Sequence, residues 1–225
     1  MRLILARHGQ PDYERDCLTE TGRRQARDAA LRLADEGIES VYTSPFGRAL
    51  ETAWYTADAL GLRPVVLPWM RELYWGSVDG RELPYGGHPW NTADALIAQG
   101  VDLADPAWNK HPVWTGNRVL SEIGRVAAEA DRWLAGFGYL RQGLYYRFDG
   151  RPDCPRAVAL FAHGGSGVAA LCHMLNLPFP YLCATLHMPL TGLNILRFSD
   201  VPGEVFLPKF DLMNDGRHAP YGQGM

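Results

Sequence analysis

Arg7, His8, Gly9 and Gln10 follow directly on the apolar run Leu3–Ala6. A cation beside a titratable ring makes a poor core, so these residues form either a surface turn or the anion-handling end of a site. Three further places repeat the theme. Thr43-Ser44 closes another β-type stretch, with Arg48 just beyond it. Arg71-Glu72 follows a third, and His163-Gly164-Gly165 follows the apolar run Ala157–Ala162. Arginine presents a planar fork that matches phosphate oxygens two at a time. A neutral imidazole, with its ordinary pKa near 6.5, is a good nucleophile at phosphorus. A second imidazole can donate to the equatorial oxygens. A carboxylic acid held protonated can give its proton to a leaving alkoxide. Phosphoryl transfer needs mainly positioning and charge stabilisation, and this set supplies both without a metal or other cofactor.

These groups meet only if secondary structure delivers them to one place. Leu3–Ala6 reads as a buried strand. In "LTETGRRQARDAALRLADEG" the residues Ala26, Ala29, Ala30, Leu33 and Ala34 share one helical face, with Thr19 as N-cap and Gly37 as stop. "IESVYTS" predicts a second strand. Ser44-Pro45 then reads as an N-cap followed by proline at the first position of a helix running to about Leu60. "RPVVLPW" predicts a third strand. Strand and helix alternating in this way imply a largely parallel sheet, whose ligands bind beyond the carboxyl ends of the strands. Every candidate group above falls at such an end.

Residues 76–120 break the pattern. They are rich in Gly, Pro, Trp, Asn and His, with one weakly helical patch near Thr92–Gln99. Long connections of this kind are often lids. A clear amphipathic helix follows, through Ile123, Val126, Ala130 and Leu134. Residues 139–155 form a second irregular stretch, assigned with 76–120 to a cap. Ala157–Ala162 predicts a buried strand, His163–Gly165 a turn and Ser166–Leu175 a helix. "TGLNILRF" and "EVFLPKF" read as closing strands, paired as a hairpin around Asp200–Gly203. Of the tryptophans, Trp69, Trp75, Trp90, Trp108, Trp114 and Trp133 cluster in this middle region. They form either the core of the cap or the wall of a pocket for an apolar leaving group.

The stretches "LARHGQ", "LTETGRRQA", "TSPFGRALETA", "RELYWGSVDG" and "ALFAHGG" occur in the order, and with the content, of the histidine phosphatase superfamily, which the chain resembles. The likeness covers about Leu3–Gly80 and Arg156–Gly165. It implies a three-layer α/β fold of the phosphoglycerate-mutase type, a central mostly parallel sheet flanked by helices, with the Trp-rich cap inserted in a single domain over residues 1–225. It implies that His8 becomes phosphohistidine, that Arg7 and Arg48 clamp the phosphoryl oxygens, and that His163 stabilises the transferring group. Glu72 would be the acid toward the leaving oxygen and then the base for water, with Asp79 as its rival. Gly9 would let the backbone hold His8 in the required tautomer; Gln10, Ser44 and Gly164 are expected substrate contacts. The family contains both phosphatases and mutases. Between residues 76 and 120 the only cations are Arg81, Lys110 and Arg118, which favours a phosphomonoester hydrolase acting on a small phosphorylated metabolite. The alternatives are phosphoglycerate-mutase-type transfer and a non-catalytic binding member of the same fold, the latter weakened because every catalytic position is filled.

Other classes fare worse. The sequence has 225 residues and a formal net charge of −3, so no global basic field draws it to nucleic acid or an anionic membrane. No apolar run approaches a membrane span, and "LILA" is too short for a signal sequence, which points to a cytoplasmic protein. The four cysteines contain no C-x-x-C pair and are expected to be free thiols. His88, His111, His173, His187 and His218 lack metal-ligand spacing, so no metal site is expected. "HGGSG" suggests a lipase-like oxyanion loop, but no G-x-S-x-G elbow follows. Oligomeric state is not legible.

Overall fold

The computed structural model describes residues 1–221. Strand β1 (Arg2–Arg7) leads through the two-residue strands β2 (Pro11–Asp12) and β3 (Cys17–Leu18) into helix α1 (Glu20–Leu33). Then come β4 (Ser40–Thr43), α2 (Gly47–Ala59), β5 (Val65–Val66), α3 (Pro89–Ala98), α4 (Pro112–Thr115) and α5 (Val119–Ala135). Strands β6 (Tyr139–Gln142), β7 (Tyr145–Phe148) and β8 (Ala157–Ala162) follow, then α6 (Gly164–Leu175) and α7 (Phe179–Thr185). The chain closes with β9 (Leu193–Arg197), β10 (Val205–Phe206) and β11 (Lys209–Asp215).

The main sheet has the order β11-β9-β1-β8-β4-β5. Its β1, β8, β4 and β5 run parallel, while β9 and β11 are antiparallel. Period-two geometry divides β1 between two cores. Leu3 and Leu5 enter one with α5, α6 and α7; Ile4 and Ala6 enter the other with Leu33 of α1 and Ala53 and Ala57 of α2. Both faces are thus covered, which is why β1 and β8 are apolar at nearly every position instead of alternating. Thr19 caps α1 as expected, its hydroxyl accepting from Gly22 N at 3.1 Å.

Four details differ from the sequence reading. Helix α2 begins at Gly47, two residues later than Ser44-Pro45 suggests, because the Ser44 hydroxyl is engaged elsewhere. The third strand shortens to Val65–Val66 and gives way to a 3₁₀ turn at Pro68–Met70. His163 begins no turn: α6 starts at Gly164, immediately after β8. Residues 139–148 are not irregular but form the β6–β7 hairpin, paired with β10 in a separate three-stranded sheet. The partner expected for β9 within "EVFLPKF" is therefore divided, Val205–Phe206 joining β7 while Lys209 onward pairs with β9. The Tyr139 hydroxyl accepts from the Met1 amino group at 3.1 Å. That places the hairpin at the start of β1, the opposite end from His8, so residues 139–148 do not cover the His8 edge.

Residues 76–120 carry α3 and α4 and are packed against the body of the protein. Leu96, Val113 and Trp114 join the core cluster of α5 and α6. Trp108 packs on Trp114 with ring centroids 5.7 Å apart, and Trp69 on Trp133 at 6.1 Å. Trp75, His88 and Trp90 form a separate aromatic group.

Candidate active site

Strands β1, β4 and β8 end side by side, and the residues following them converge. His8 is buried, its backbone N–H donating to Ala162 O at 2.9 Å. Its Nδ1 lies 2.7 Å from Gly9 O. A carbonyl only accepts, so Nδ1 carries the proton and Nε2 keeps a lone pair. The 163–166 segment brings the second imidazole to within 5.1 Å of the first, centroid to centroid, at an interplanar angle of 61°. His163 Nε2 is 2.6 Å from Ser44 Oγ. That oxygen also accepts from Phe46 N at 3.2 Å. His163 Nδ1 is a buried atom without a hydrogen-bond partner among the described residues.

Both rings are held neutral. Burial, reinforced by the charges of Arg7 and Arg48, lowers the pKa of His8 to about 3. Burial also pulls His163 far below its ordinary value, aided by His8 and the same arginines. His8 therefore offers a lone pair from Nε2, and neither ring is charged at neutral pH.

Arg48 is buried and Arg7 half-buried, and both guanidinium groups are incompletely bonded. Arg7 donates through one terminal nitrogen to Met188 O at 2.6 Å, and its Nε has no partner. Arg48 donates to Asp16 Oδ1 at 2.5 Å and also has a bare Nε. The Arg48 guanidinium lies 4.9 Å from the Phe46 ring centroid and 5.4 Å from that of Tyr13. The sequence suggests Glu51 as an ordinary partner for Arg48, but Glu51 instead binds Arg23 at 2.8 Å and Leu18 N at 2.7 Å. A buried cation with an unused N–H is costly unless an anion completes it.

Glu72 meets the start of α6. Its carboxylate accepts from Gly165 N at 3.2 Å, Ser166 N at 2.9 Å and its neighbour Leu73 N at 2.9 Å. Burial raises its pKa, and that effect exceeds the opposing pull of these three N–H groups. Its rival Asp79 is exposed, bonded to Ser77 and Arg81, and shifted the other way, chiefly by the Arg81 N–H. Arg71 is spent on Glu122 in a two-pronged pair at 2.7 and 2.9 Å.

The smaller residues have definite reasons. A Cβ on Gly9 would lie 2.7 Å from Gly22 O, so glycine is needed there for the close approach to α1. A Cβ on Gly165 would lie 2.5 Å from Glu72 Oε1. On Gly164 it would meet only Arg7 Nε at 3.9 Å and Trp90 at 4.0 Å, ordinary contacts. Gln10 turns toward α1: its side-chain oxygen accepts from the Thr19 hydroxyl at 2.7 Å, and its N–H donates to Gln25 at 2.8 Å.

Sequence reasoning did not single out Asp16, and it gave Gly165 and Trp90 no individual role. Asp16 holds Arg48 and also accepts from Gly47 N at 2.7 Å, in a left-handed conformation with φ of 48°. Its only sequence signal is its place on the loop after Arg7-His8-Gly9. Gly165 was visible as the second glycine of "HGG". Trp90 was visible only as one of the clustered tryptophans offered as a pocket wall, and nothing local set it apart from the others. Toward the C-terminus, Asn214 donates to His187 O at 2.6 Å and His218 Nε2 lies 3.2 Å from Thr191 Oγ1. Thr191 N in turn donates to His8 O at 3.3 Å, so the C-terminal segment buttresses the His8 loop from behind.

Comparison with known proteins agrees with this geometry. Over residues 3–133 the chain matches the histidine phosphatase superfamily, branch 1. It is 31% identical over 123 residues to a probable phosphoglycerate mutase GpmB of Serratia proteamaculans, covering 47% of this chain and 57% of that one. A probable GpmB of Yersinia enterocolitica is 35% identical over 92 residues, 37% of this chain and 43% of its own. The matches thus span roughly half of these curated relatives. Among solved structures, a mycobacterial glucosyl-3-phosphoglycerate phosphatase aligns with a TM-score of 0.63 at 27% identity, over 95% of this chain and 98% of that one. A phosphoserine phosphatase of Entamoeba histolytica, in complex with 3-phosphoglyceric acid, shares the fold at a TM-score of 0.62 and 17% identity, over 97% and 98% of the two chains. With a matching family over more than half its length, a mostly parallel central sheet and paired histidines at the strand ends, the chain belongs to the histidine phosphatase superfamily.

Proposed function

We propose that the protein is a phosphomonoester hydrolase that works through a phosphohistidine on His8. The observation that carries this reading is the lock on His8: Nδ1–H donates to Gly9 O, so Nε2 is a lone pair on a neutral ring beside two incompletely bonded arginines. His8 Nε2 attacks phosphorus while the ester P–O bond breaks. Arg7 and Arg48 hold the phosphoryl oxygens, and His163 donates to one of them from Nδ1. The leaving oxygen takes the proton of Glu72, which burial keeps protonated to higher pH than an exposed glutamate. Glu72, now a carboxylate, takes a proton from water; that water attacks phosphorus, the P–N bond breaks, and inorganic phosphate and neutral His8 are regenerated. Ser44 sets the tautomer of His163, and Gly9, Gln10 and Gly164 shape the backbone around the two rings. The α3 segment covers the site through Trp90, and the substrate is a small phosphorylated metabolite.

Hydrolysis is favoured over transfer by how few cations the covering segment carries: Arg81 pairs with Asp79 at 3.0 Å, Lys110 lines a separate cavity of about 290 Å³ together with Asp102 and Asp105, and Arg118 is exposed. A mutase must hold a second anionic group. The likeness to probable phosphoglycerate mutases keeps transfer as the second reading. The test is turnover of p-nitrophenyl phosphate between about pH 5 and 8 with a chelator present, beside an assay of 2-/3-phosphoglycerate interconversion with added bisphosphate. Phosphate release that disappears in His8→Ala supports the reading. Interconversion outpacing release supports transfer, and no turnover of either kind overturns both.

A further inference from the structure

A cavity of about 690 Å³ lies at the other end of the sheet. It opens where β1 begins, whereas His8 follows the end of β1; six residues of strand separate the two by roughly 20 Å. Its volume falls in the ordinary range of small-molecule sites. Aromatic side chains form one side. Tyr139 and Phe148 are stacked with centroids 4.9 Å apart, Phe198 lies 5.0 Å from Tyr139, and Phe206 joins them at 5.9 Å.

The other side is cationic, and the strand register makes that unusual. Arg2 on β1 stands directly opposite Arg197 on β9, which stands directly opposite Lys209 on β11. All three line the cavity. Like charges paired across adjacent strands destabilise a sheet. Local acids relieve this only in part. Arg2 spends both terminal nitrogens on Glu36, but Arg197 pairs with Asp211 only through Nε, at 3.0 Å, leaving its terminal nitrogens open. Lys209 has no ion pair among the described residues. Arg151 and Arg156 add two more cations to the lining, against the carboxylates of Asp200 and Glu204. Glu204 is engaged by the Ser199 hydroxyl.

We propose that this cavity is a second ligand site, for a small organic anion of two or more charges with a flat apolar portion, the chemistry of a nucleoside diphosphate. The charged end lies between Arg197 and Lys209, where it offsets the cross-strand repulsion. The flat portion lies on the aromatic side formed by Phe148 and Phe206. The site is independent of the His8 edge, and the proposal does not rest on the reaction assigned there.

The experiment is calorimetric titration of the whole protein with adenosine diphosphate, and separately with inorganic pyrophosphate. Wild type, Arg7→Ala, Lys209→Gln and Arg197→Gln are compared, each checked for folding by circular dichroism. The diphosphate is expected to bind wild type and Arg7→Ala alike. Binding should weaken about tenfold in Lys209→Gln, as loss of one charged contact predicts, while hydrolysis of p-nitrophenyl phosphate by that variant stays unchanged. Phe206→Ala should weaken the nucleotide and leave pyrophosphate unaffected. Binding lost in Arg7→Ala and kept in Lys209→Gln would place the anion at the His8 edge and overturn the proposal. Absence of binding to every variant at millimolar ligand overturns it too, and pyrophosphate binding as tightly as the nucleotide overturns the apolar half.

Discussion

The two ends of β1 make opposite use of the same residue type. At the start, Arg2 is satisfied by Glu36 at 2.5 Å, and its neighbour Arg156 reaches Glu39 at 2.8 Å from a side chain 87% exposed. At the finish, Arg48 is buried and Arg7 half-buried, and each keeps a buried Nε with no hydrogen-bond partner among the described residues. The first pair already has its counter-charges. The second pair lies in a drier place, beside two neutral imidazoles. Unmet hydrogen-bonding capacity in a low-dielectric place destabilises the fold and makes the site strong toward an anion.

The comparison can be broken most decisively at His8. His8→Ala should take phosphate release to the assay background without lowering the thermal midpoint; retained turnover would remove the nucleophile assignment. Glu72→Gln should reduce kcat by about 10²–10⁴, the usual range for a lost acid–base group, whereas Asp79→Asn should change little. The reverse ranking would exchange their roles. Gly165→Ala pushes a methyl group into the Glu72 carboxylate and should cost on the order of 10²-fold in kcat with the fold intact by circular dichroism. Asp16→Ala frees Arg48 from its charged partner and should raise KM about tenfold while kcat changes less; a fall in kcat alone would mean that Asp16 does not position Arg48 for binding. At the other end, Arg156→Ala should shift unfolding free energy by under ~0.5 kcal/mol in urea titration.

Acid exposes the same contrast. The unfolded chain protonates its histidines near pH 6.5, while burial holds folded His8 neutral down to about 3 and keeps folded His163 neutral as well. The folded state therefore binds fewer protons, and stability falls as pH drops below 6.5. Glu72 acts in the opposite sense: its raised folded pKa contributes stability at low pH, lost as pH rises through that value. Urea midpoints at pH 7 and 5 should fall for wild type, and fall less for His8→Asn. An equal fall in both would mean that His8 titrates normally in the folded protein.

Legibility in the sequence followed the range of the interaction. Arg7-His8-Gly9, Arg48, Glu72 and His163 could be placed at strand ends because local periodicity marks the strands, and the order of the motifs supplied their kinship. The hairpin at 139–148 was read as irregular; its β7 completes a sheet with Val205–Phe206, some sixty residues away, a stretch the sequence pattern assigned as a whole to β9. Ser44 was read as a helix cap because serine before proline usually is one, but a buried imidazole 119 residues along the chain claims its hydroxyl. Asp16 was invisible for the same reason: nothing near it in sequence says that Arg48 lies across the loop.

What the sequence by itself determined was the chemistry available and the elements that carry it: two imidazoles, two guanidinium groups and a carboxylic acid, each following a strand. Apolar runs and caps are local, and local free energies are written in consecutive residues. Only the tertiary structure decided that His8 carries its proton on Nδ1, that burial raises the pKa of Glu72 while exposed Asp79 shifts the other way, and that Trp90 comes close to Gly164. Those outcomes depend on desolvation and on partners brought together by the fold, and neither exists until β1, β4 and β8 lie side by side.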